Sequence, residues 1–327
     1  MVALSVVQGD IRTRPCDLLI LKHAGGLYGV DDYIAKTIGF EESVQSGRFS
    51  IVGGAKTRAK HIVFLGVGPL SEFDYAAIRQ FGRRALEVAK TVDNKAAKIC
   101  MPIHGPGYGL DENEAFSSLI AGLTDGIVAH ICPTGLREIE IVEIRENRAR
   151  RFSEILAELA DQSDTEPKDY LSRDQYNVLG PKVAEALRTF GSESGKKIRL
   201  FVAMPFKDEL TDEWEISIQD AAHSNGILCE RVDKSAFVGD IISEVKRRIE
   251  DYDGLIAVLN DANPNVYLEL GYAWAKEKPA VLVAKVDQTL PFDVKGQRCI
   301  LYKGIADLRA KLTNELAGLK SAGIFKK

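Results

Sequence analysis

The sequence predicts an α/β protein with two three-layer αβα domains, one built on a mixed sheet and the other on a parallel sheet. Short apolar segments rich in β-branched residues alternate with amphipathic stretches, which is the pattern of strands and helices in α/β folds. This alternation occurs twice, and a polar stretch at residues 147–196 separates the two occurrences. A chain of 327 residues agrees with two domains of roughly 150 residues each.

Six strands and two helices are predicted in the first block. Each strand is a short apolar or β-branched segment bounded by glycine, proline or charge. The clearer helix covers residues 75–91, where Ile78, Phe81 and Ala85 recur at helical spacing, and the other covers 112–129, with acidic residues in its first turn. The predicted strands cover residues 3–8, 18–22, 49–52, 61–67, 98–101 and 138–144.

Residues 147–196 are predicted to form a helical linker between a first domain at 1–146 and a second at 197–327. Basic, acidic and Gly/Ser-rich runs follow one another in this stretch, unlike the blocks on either side. Two helices are predicted inside it, over residues 150–159 and 174–190. The alternative is that these helices cap the first domain.

Five strands and four helices alternate regularly in the second block. The strands are almost wholly apolar, as expected of a parallel sheet that helices cover on both faces. The predicted strands cover residues 197–203, 228–232, 254–259, 279–284 and 299–302. The predicted helices cover residues 213–225, 238–252, 266–276 and 305–318.

The composition favours a cytoplasmic protein without a nucleic-acid or membrane partner. The formal net charge is −4, whereas binding to polyanions relies on clustered Lys and Arg. No apolar run reaches about 18 residues, and no basic-then-apolar start precedes a cleavage signal. The five cysteines form no CxxC pair, and the five histidines show no ligand spacing. We therefore expect a reducing compartment, no metal site and no cofactor.

Glu269 is the main candidate for chemistry in the second block. Ligands of open α/β sheets bind beyond the carboxyl ends of the strands, and Glu269 lies early in the helix that follows the strand at 254–259. Its neighbours Val266, Leu268 and Leu270 are apolar. One interpretation is a solvated acid favoured by the helix N-terminus. The other is a carboxylate that attacks or stabilises an oxocarbenium-like centre.

Motifs of the second block resemble, in order, the nucleoside 2-deoxyribosyltransferase-like family, a relative of the TIR-like NAD-cleaving domains. They are FVAMPF, RVD, LIAVLND with NPNVYLELGYAWAKEKPAVLV, and LPFDV with the later RCILY. The resemblance covers residues 197–316 and implies a flavodoxin-like parallel sheet.

This resemblance implies roles for individual residues. Glu269 matches the family nucleophile or oxocarbenium stabiliser, and Asn265, one helical turn earlier, would bind a ribose hydroxyl. Arg231 is a candidate for phosphate, with a surface ion pair to Asp233 as the alternative. The sequence departs from the transferases at Asn263, where they often carry Asp or Ser. The residues implied to surround the substrate are Met204, Pro205, Phe206, Arg231, Asp233, Asp261 and Asn263.

Two glycine-rich loops follow predicted strands in the first block, at residues 23–29 and 104–110. Glycine lets the backbone approach a phosphate and direct its N–H groups at it, so the two loops together suit a diphosphate. Turn formation is the alternative explanation for each loop alone.

The motifs VVQGDI, GGLYG and PIHGPGYGLDENEAF resemble macro domains, and HIVFLGVGPLSEFDYAAIRQFGRRALEVAK resembles the macro-like N-terminal domain of leucyl aminopeptidases. The resemblance covers residues 1–144 and implies that Asp10 holds the adenine amino group of an ADP-ribose-type nucleotide. LKHA at residues 21–24 replaces the Asn-rich stretch of catalytic macro domains, so binding without turnover is expected. The implied nucleotide-sensor residues are Asp10, Ile11, Gly25, Gly26, Gly29, Gly105, Gly107, Tyr108 and Gly109.

Together these features predict ligand-regulated N-glycosidic cleavage by an NAD glycohydrolase, an effector of bacterial antiphage signalling with a macro-like sensor domain. NAD is the substrate in this hypothesis, because nicotinamide leaves readily from its cationic linkage without a metal. TIR-like sites are often completed between subunits, so a homo-oligomer is expected. Two alternatives remain: a nucleoside or nucleotide N-glycosidase or 2-deoxyribosyltransferase, and a non-catalytic nucleotide-binding and assembly protein.

Overall fold

The structure is a computed structural model that describes residues 2–161, 175–176, 179–231 and 241–325. The chain divides into two compact units, Met1–Gly107 with Glu112–Gly195 and Tyr108–Asp111 with Lys196–Lys327. The predicted α/β class is confirmed, because each unit is a sheet with helices packed against it. None of the described helices combines the length and the apolar character needed to cross a membrane.

The first unit forms, within its described residues, a seven-stranded mixed sheet. Its strands are β1 (Ala3–Gln8), β2 (Cys16–His23), β3 (Phe49–Gly53), β4 (Ala59–Gly66), β5 (Lys98–Pro102), β6 (Glu138–Glu143) and β7 (Gln175–Tyr176). They lie in the order β3-β4-β2-β5-β6-β1-β7. The edge pairs β3–β4 and β1–β7 are antiparallel, and the pairs between them are parallel. The carboxyl ends of β1, β2 and β5 therefore meet at one edge.

The helices of the first unit are α1 (Val30–Ile38), α2 (Tyr75–Val92), α3 (Glu112–Val128), α4 (Glu146–Asp161) and α5 (Pro181–Ala186). The longest pair, α2 and α3, pack backbone to backbone. A Cβ atom on Gly122 of α3 would lie only 1.9 Å from the carbonyl oxygen of Arg79 in α2. Only glycine permits this approach, because a Cβ atom would clash with the carbonyl oxygen. The described part of residues 147–195 belongs to this unit, and α4 lies against β1 and β6.

The second unit forms, within its described residues, a five-stranded sheet in which every pair is parallel. Its strands are β8 (Arg199–Ala203), β9 (Leu228–Glu230), β10 (Gly254–Val258), β11 (Ala280–Lys285) and β12 (Cys299–Tyr302), in the order β12-β11-β10-β8-β9. A π-helical segment, Glu213–Ile218, continues into α6 (Gln219–His223). The other helices are α7 (Ile241–Asp251), α8 (Pro264–Ala275), α9 (Phe292–Lys295) and α10 (Ile305–Ser321).

Helices cover both faces of the second sheet, because successive strand residues point to opposite sides. Val202 of β8 packs into a core that includes Leu312 of α10, whereas its neighbour Phe201 packs into a separate core that includes Leu270 of α8. The strands are therefore apolar on both faces, as the sequence predicts for a parallel sheet.

The helix predicted over residues 174–190 is wrong. Gln175–Tyr176 form β7, which pairs antiparallel with β1, and the helix in this region covers only Pro181–Ala186. Proline lacks an N–H and disfavours helical geometry in the residue before it, so a helix begins at Pro181 and does not run through it. Residues 174, 177 and 178 lie outside the described part of the chain.

Candidate functional site

The second unit brings predicted site residues to the carboxyl edge of its sheet. Because β8, β9 and β10 are parallel neighbours, the segments that leave them start at the same edge. Met204–Phe206 follow β8, Arg231 follows β9, and Asp261–Asn265 follow β10. Asp233 lies outside the described residues, so its predicted role stays a prediction.

Glu269 lies in the second turn of α8 and is half-buried between the buried residues Val266 and Leu270. The start of this helix is fixed by Asn263, whose side-chain oxygen accepts a hydrogen bond of 3.0 Å from the backbone N–H of Asn265. Asn263 is therefore the N-cap, a position where Asn, Asp and Ser serve equally. The side chain of Asn265 is exposed. The cap gives Asn263 a structural role, and its predicted contact with substrate stays a prediction.

Arg231 lies between two aromatic rings. Its guanidinium carbon is 4.7 Å from the ring centre of Phe206 and 4.8 Å from that of Trp214. Nη1 also donates to the sulfur of Met204 at 3.3 Å. Met204 is buried and Phe206 is exposed, so this cluster extends from the core to the surface. The sequence predicts that Met204, Phe206 and Arg231 lie near one another. It does not indicate Trp214, which lies further along the chain after β8.

Asp261 is held by a cation and a tight turn. Its carboxylate lies 2.9 Å from Nζ of Lys207, and its N–H donates to the side-chain oxygen of Gln288 at 2.8 Å. The φ angle of Asp261 is +59°, in the left-handed region that non-glycine residues seldom occupy. Both side chains of the ion pair are about half exposed, so a polar ligand group can compete for either.

A buried polar network that was not predicted from the sequence lies at the carboxyl edge of the second sheet. Nδ2 of Asn260 donates to the hydroxyl of Tyr302 at 2.6 Å, and that hydroxyl lies 3.4 Å from Oε1 of Glu213. Lys285 pairs with Glu213 at 3.1 Å. Burial raises the pKa of Tyr302 above its usual range. Asn260, Lys285 and Tyr302 lie at or just beyond the end of an apolar strand, and Glu213 begins the π-helical segment. Polar residues at these positions are the sequence signal that would have revealed the network.

In the first unit, Asp10 is an ionised carboxylate that follows β1. It accepts hydrogen bonds from Nη2 of Arg12 at 2.6 Å and from the N–H of Arg12 at 2.9 Å. These bonds to Arg12 lower the pKa of Asp10. Arg12 in turn stacks over the ring of Tyr33 at 4.6 Å. Asp10 is partly exposed, whereas Ile11 is buried in the core.

The first glycine loop has the backbone geometry that requires glycine. Gly25 and Gly29 have φ angles of +66° and +55°, and both are exposed. Gly26 lies close to the side chain of Tyr28, whose hydroxyl would be 3.1 Å from an added Cβ. The predicted contact of this loop with a diphosphate stays a prediction.

The second glycine loop divides between the units. Gly105, with a φ of +106°, and the exposed Gly107 belong to the first unit, whereas Tyr108 and Gly109 belong to the second. Nη2 of Arg248 donates to the carbonyl of Tyr108 at 2.8 Å, and its guanidinium lies 4.8 Å from the Tyr108 ring centre. A Cβ on Gly109 would lie 2.7 Å from the carbonyl oxygen of Arg231. Close packing thus gives Tyr108 and Gly109 a structural role. Their predicted contact with a nucleotide stays a prediction.

A buried charged cluster brings together Lys22 near the end of β2, Asp31 in α1 and His104 just after β5. Nζ of Lys22 is 3.1 Å from the Asp31 carboxylate, and Nδ1 of His104 is 3.7 Å from the same oxygen. All three side chains are at most 5% exposed. Burial lowers the pKa of His104 to about 4, so its imidazole is neutral at pH 7. Lys22 belongs to the LKHA stretch at residues 21–24.

No protein-family model and no curated protein sequence matches this chain. Among solved structures, it is similar to the macrodomain of Oceanobacillus iheyensis, in a variant bound to ADP-ribose, with 23% identity over 48% of this chain and 94% of that one and a TM-score of 0.39. The same macrodomain with ADP gives 20% identity over 49% of this chain and 93% of that one, and a TM-score of 0.36.

A macrodomain of Trypanosoma brucei in complex with ADP-ribose is similar over 47% of this chain and 68% of that one, with 16% identity and a TM-score of 0.40. Macrodomains are thus what this chain resembles over about half of its length. The resemblance of the second block to TIR-like and deoxyribosyltransferase-like proteins stays a prediction.

Proposed function

We propose that this protein cleaves an N-glycosidic bond, with NAD as substrate, under the control of an ADP-ribose-type nucleotide bound to the first unit. The observation that carries the proposal is the position of Glu269. Its carboxylate is half-buried on a helix that begins at the carboxyl edge of a parallel sheet, where ligands of such sheets bind. The Arg231 cluster lies at the same edge.

The reaction breaks the bond between C1′ of the ribose and the pyridinium nitrogen of nicotinamide. The bonding electrons pass to that nitrogen, so nicotinamide leaves as a neutral molecule and positive charge develops at C1′. The Glu269 carboxylate stabilises this charge or bonds to C1′. Water then adds to C1′, displacing the Glu269 carboxylate where that bond has formed, and loses a proton to solvent, which yields ADP-ribose.

The Arg231 cluster supplies the means to orient the substrate. A guanidinium that already lies between Phe206 and Trp214 is held in place without further ordering of its side chain. Phe206 leaves part of its ring exposed for a planar base. Orientation of the scissile bond accounts for a large share of catalysis in reactions of this kind.

The first unit offers a carboxylate and a loop for a regulatory nucleotide. Asp10 is ionised and partly exposed, so it can accept a hydrogen bond from an adenine amino group. Gly25 and Gly29 expose backbone that a side chain would otherwise cover, as phosphate binding requires. Asp10 and the loop follow β1 and β2, which end at the same edge of that sheet.

The experiment is a substrate profile of the full chain, with products identified by mass spectrometry. NAD, deoxynucleoside monophosphates and nucleosides are each incubated with the protein, alone and with ADP-ribose. Release of nicotinamide by the wild type but not by Glu269→Gln is expected. Release of bases from deoxynucleotides with NAD intact would favour the nucleotide N-glycosidase or deoxyribosyltransferase. Nucleotide binding with no turnover of any substrate would favour the non-catalytic alternative.

A further inference from the structure

Three side chains of metal-binding types meet inside the second unit. Asp111 belongs to the short segment Tyr108–Asp111, His223 is the last residue of α6, and Cys229 is the middle residue of β9. Nε2 of His223 lies 2.7 Å from Oδ2 of Asp111, and Sγ of Cys229 lies 3.8 Å from the same oxygen. All three potential ligand atoms lie within 4.8 Å of one another.

The cluster is buried except at His223, which reaches solvent in part. Asp111 and Cys229 are fully buried, whereas the side chain of His223 is 21% exposed. The N–H of Cys229 donates to Oδ2 of Asp111 at 3.1 Å, which fixes the carboxylate against β9. Two ligands are thus placed by the sheet and its packing, and the third reaches the cluster from the solvent side.

The distances fit a zinc ion. Zinc lies about 2.0 Å from nitrogen and oxygen ligands and about 2.3 Å from sulfur, so ligand atoms of a tetrahedral site are roughly 3.3–3.6 Å apart. The observed 2.7 Å and 3.8 Å lie on either side of this range. The third pair, a ring nitrogen of His223 and Sγ of Cys229, is at most 4.8 Å apart. Displacements of about 1 Å therefore convert the hydrogen-bonded cluster into a coordination sphere.

The charges also fit. A thiolate and a carboxylate together balance the two positive charges of the ion, so the occupied site is neutral, and burying it costs little. On binding, the Cys229 thiol releases its proton to solvent, and the imidazole binds through Nε2 with its remaining proton on Nδ1. Thiolate and imidazole ligands favour zinc over magnesium or calcium, which prefer oxygen.

We propose that Asp111, His223 and Cys229 bind a zinc ion, with water in the fourth position on the solvent side of His223. No metal site was predicted from the sequence, because these three ligands are far apart along the chain. Asp111 precedes His223 by 112 residues and Cys229 by 118, so only the fold brings them together.

The test is a titration of the chelator-treated full chain with Co²⁺, which reports a thiolate ligand through a charge-transfer absorption band. The wild type is expected to bind one ion per chain with this band, and Zn²⁺ to displace it. Cys229→Ser should lose the band and bind at least about tenfold more weakly. Cys132→Ser, which changes a half-buried cysteine outside the cluster, is the matched control and should behave as wild type.

A wild type that gives no thiolate band, or a band that persists in Cys229→Ser, would overturn the proposal. His223→Gln keeps the test valid if Cys229→Ser does not fold, because His223 is partly exposed. It should fold and bind at least about tenfold more weakly, and zinc should raise its Tm less than that of the wild type. Equal zinc affinity in His223→Gln and the wild type would also contradict the site.

Discussion

Arg231 illustrates how single residues of the second unit acquire a fixed geometry. Its guanidinium is held by two rings and by the sulfur of Met204, so its orientation is set before a ligand arrives. A lysine would keep the charge but lose the planar group that stacks on Phe206 and Trp214. The sequence predicted Arg231 at the site from its motif, but the contact with Trp214 could not be predicted, since it depends on tertiary packing.

The Arg231→Lys variant should raise KM for NAD roughly fivefold, because lysine loses the stacking on Phe206 and Trp214 that holds the charged group in position, a contact that contributes about 1 kcal/mol. The kcat should change less, because the proposed contact of Arg231 with a substrate phosphate would be made equally in the ground state and the transition state. Steady-state kinetics of nicotinamide release measure both constants. Arg298→Lys, at an ion pair in which the arginine is 82% exposed, is the control and should leave both unchanged. Equal KM in the two variants would remove Arg231 from the site.

His104 makes the stability of the first unit depend on pH. Its pKa is about 4 in the folded protein, because burial disfavours the charged form, and about 6.5 in the unfolded chain. Between these values the unfolded chain binds a proton that the folded protein does not. The free energy of unfolding is therefore highest above pH 6.5. It falls by about 3 kcal/mol in all as the pH drops toward 4.

Denaturant unfolding between pH 7 and pH 4.5 measures this dependence. The variant His104→Gln should show a shallower loss of stability over that range, since glutamine does not titrate. Identical pH profiles for the wild type and the variant would show that His104 is not held neutral by its surroundings, which include Asp31, Lys22, Phe73 and Phe81.

At the scale of elements, the strands were the most predictable part of the fold. β10 and β11 match the predicted segments at 254–259 and 279–284 with ends that differ by at most one residue, because a short apolar run identifies a buried strand. Short elements were missed. α9, with only four residues, was not predicted. The π-helical segment lies within the predicted helix at 213–225, and only its hydrogen-bond pattern was not predicted, because apolar spacing does not reveal it.

Gly122 tests the contact between α2 and α3. An alanine in the interior of an exposed helix normally stabilises it by about 0.5–1 kcal/mol relative to glycine. At Gly122 the added methyl group would lie 1.9 Å from the carbonyl of Arg79, so the helices must separate. We expect Gly122→Ala to lower the free energy of unfolding by about 2 kcal/mol or more.

Chemical denaturation of the two variants Gly122→Ala and Gly318→Ala provides the comparison. Gly318 lies within α10, where nothing approaches an added Cβ within 4 Å. That control should be neutral or slightly stabilising. A stabilised Gly122→Ala would mean that α2 and α3 are not in backbone contact.

At the scale of the whole molecule, the chain has two compact α/β units and a net charge of −4. The proposed phosphate recognition would then be local, through glycine-loop amides and single arginines. The sequence predicted which segments follow the carboxyl ends of the strands. It could not predict side-chain pairs between distant parts of the chain, such as Tyr302 with Glu213 and Asp111 with His223, because these depend on tertiary packing.

Nucleotide binding by the first unit should be visible as a change in the stability of the full chain. ADP-ribose at about 100 times its Kd should stabilise the folded protein by about 2.7 kcal/mol and raise Tm. The variant Asp10→Asn should lose most of this shift, since an amide cannot replace the ionised acceptor. Asp287→Asn, an exposed change in the second unit, should keep the shift. A full shift in both variants would exclude Asp10 from the nucleotide site.

The most direct test of the account is the rate of nicotinamide release from NAD by the wild type and by Glu269→Gln, with ADP-ribose present and absent. Glutamine preserves the shape of the side chain and removes the charge that we propose stabilises the oxocarbenium-like centre. We predict a loss of at least about 100-fold in kcat with unchanged folding, whereas Glu277→Gln, just beyond α8, should retain wild-type activity. Full activity of Glu269→Gln would contradict the assignment of the reaction to this carboxylate.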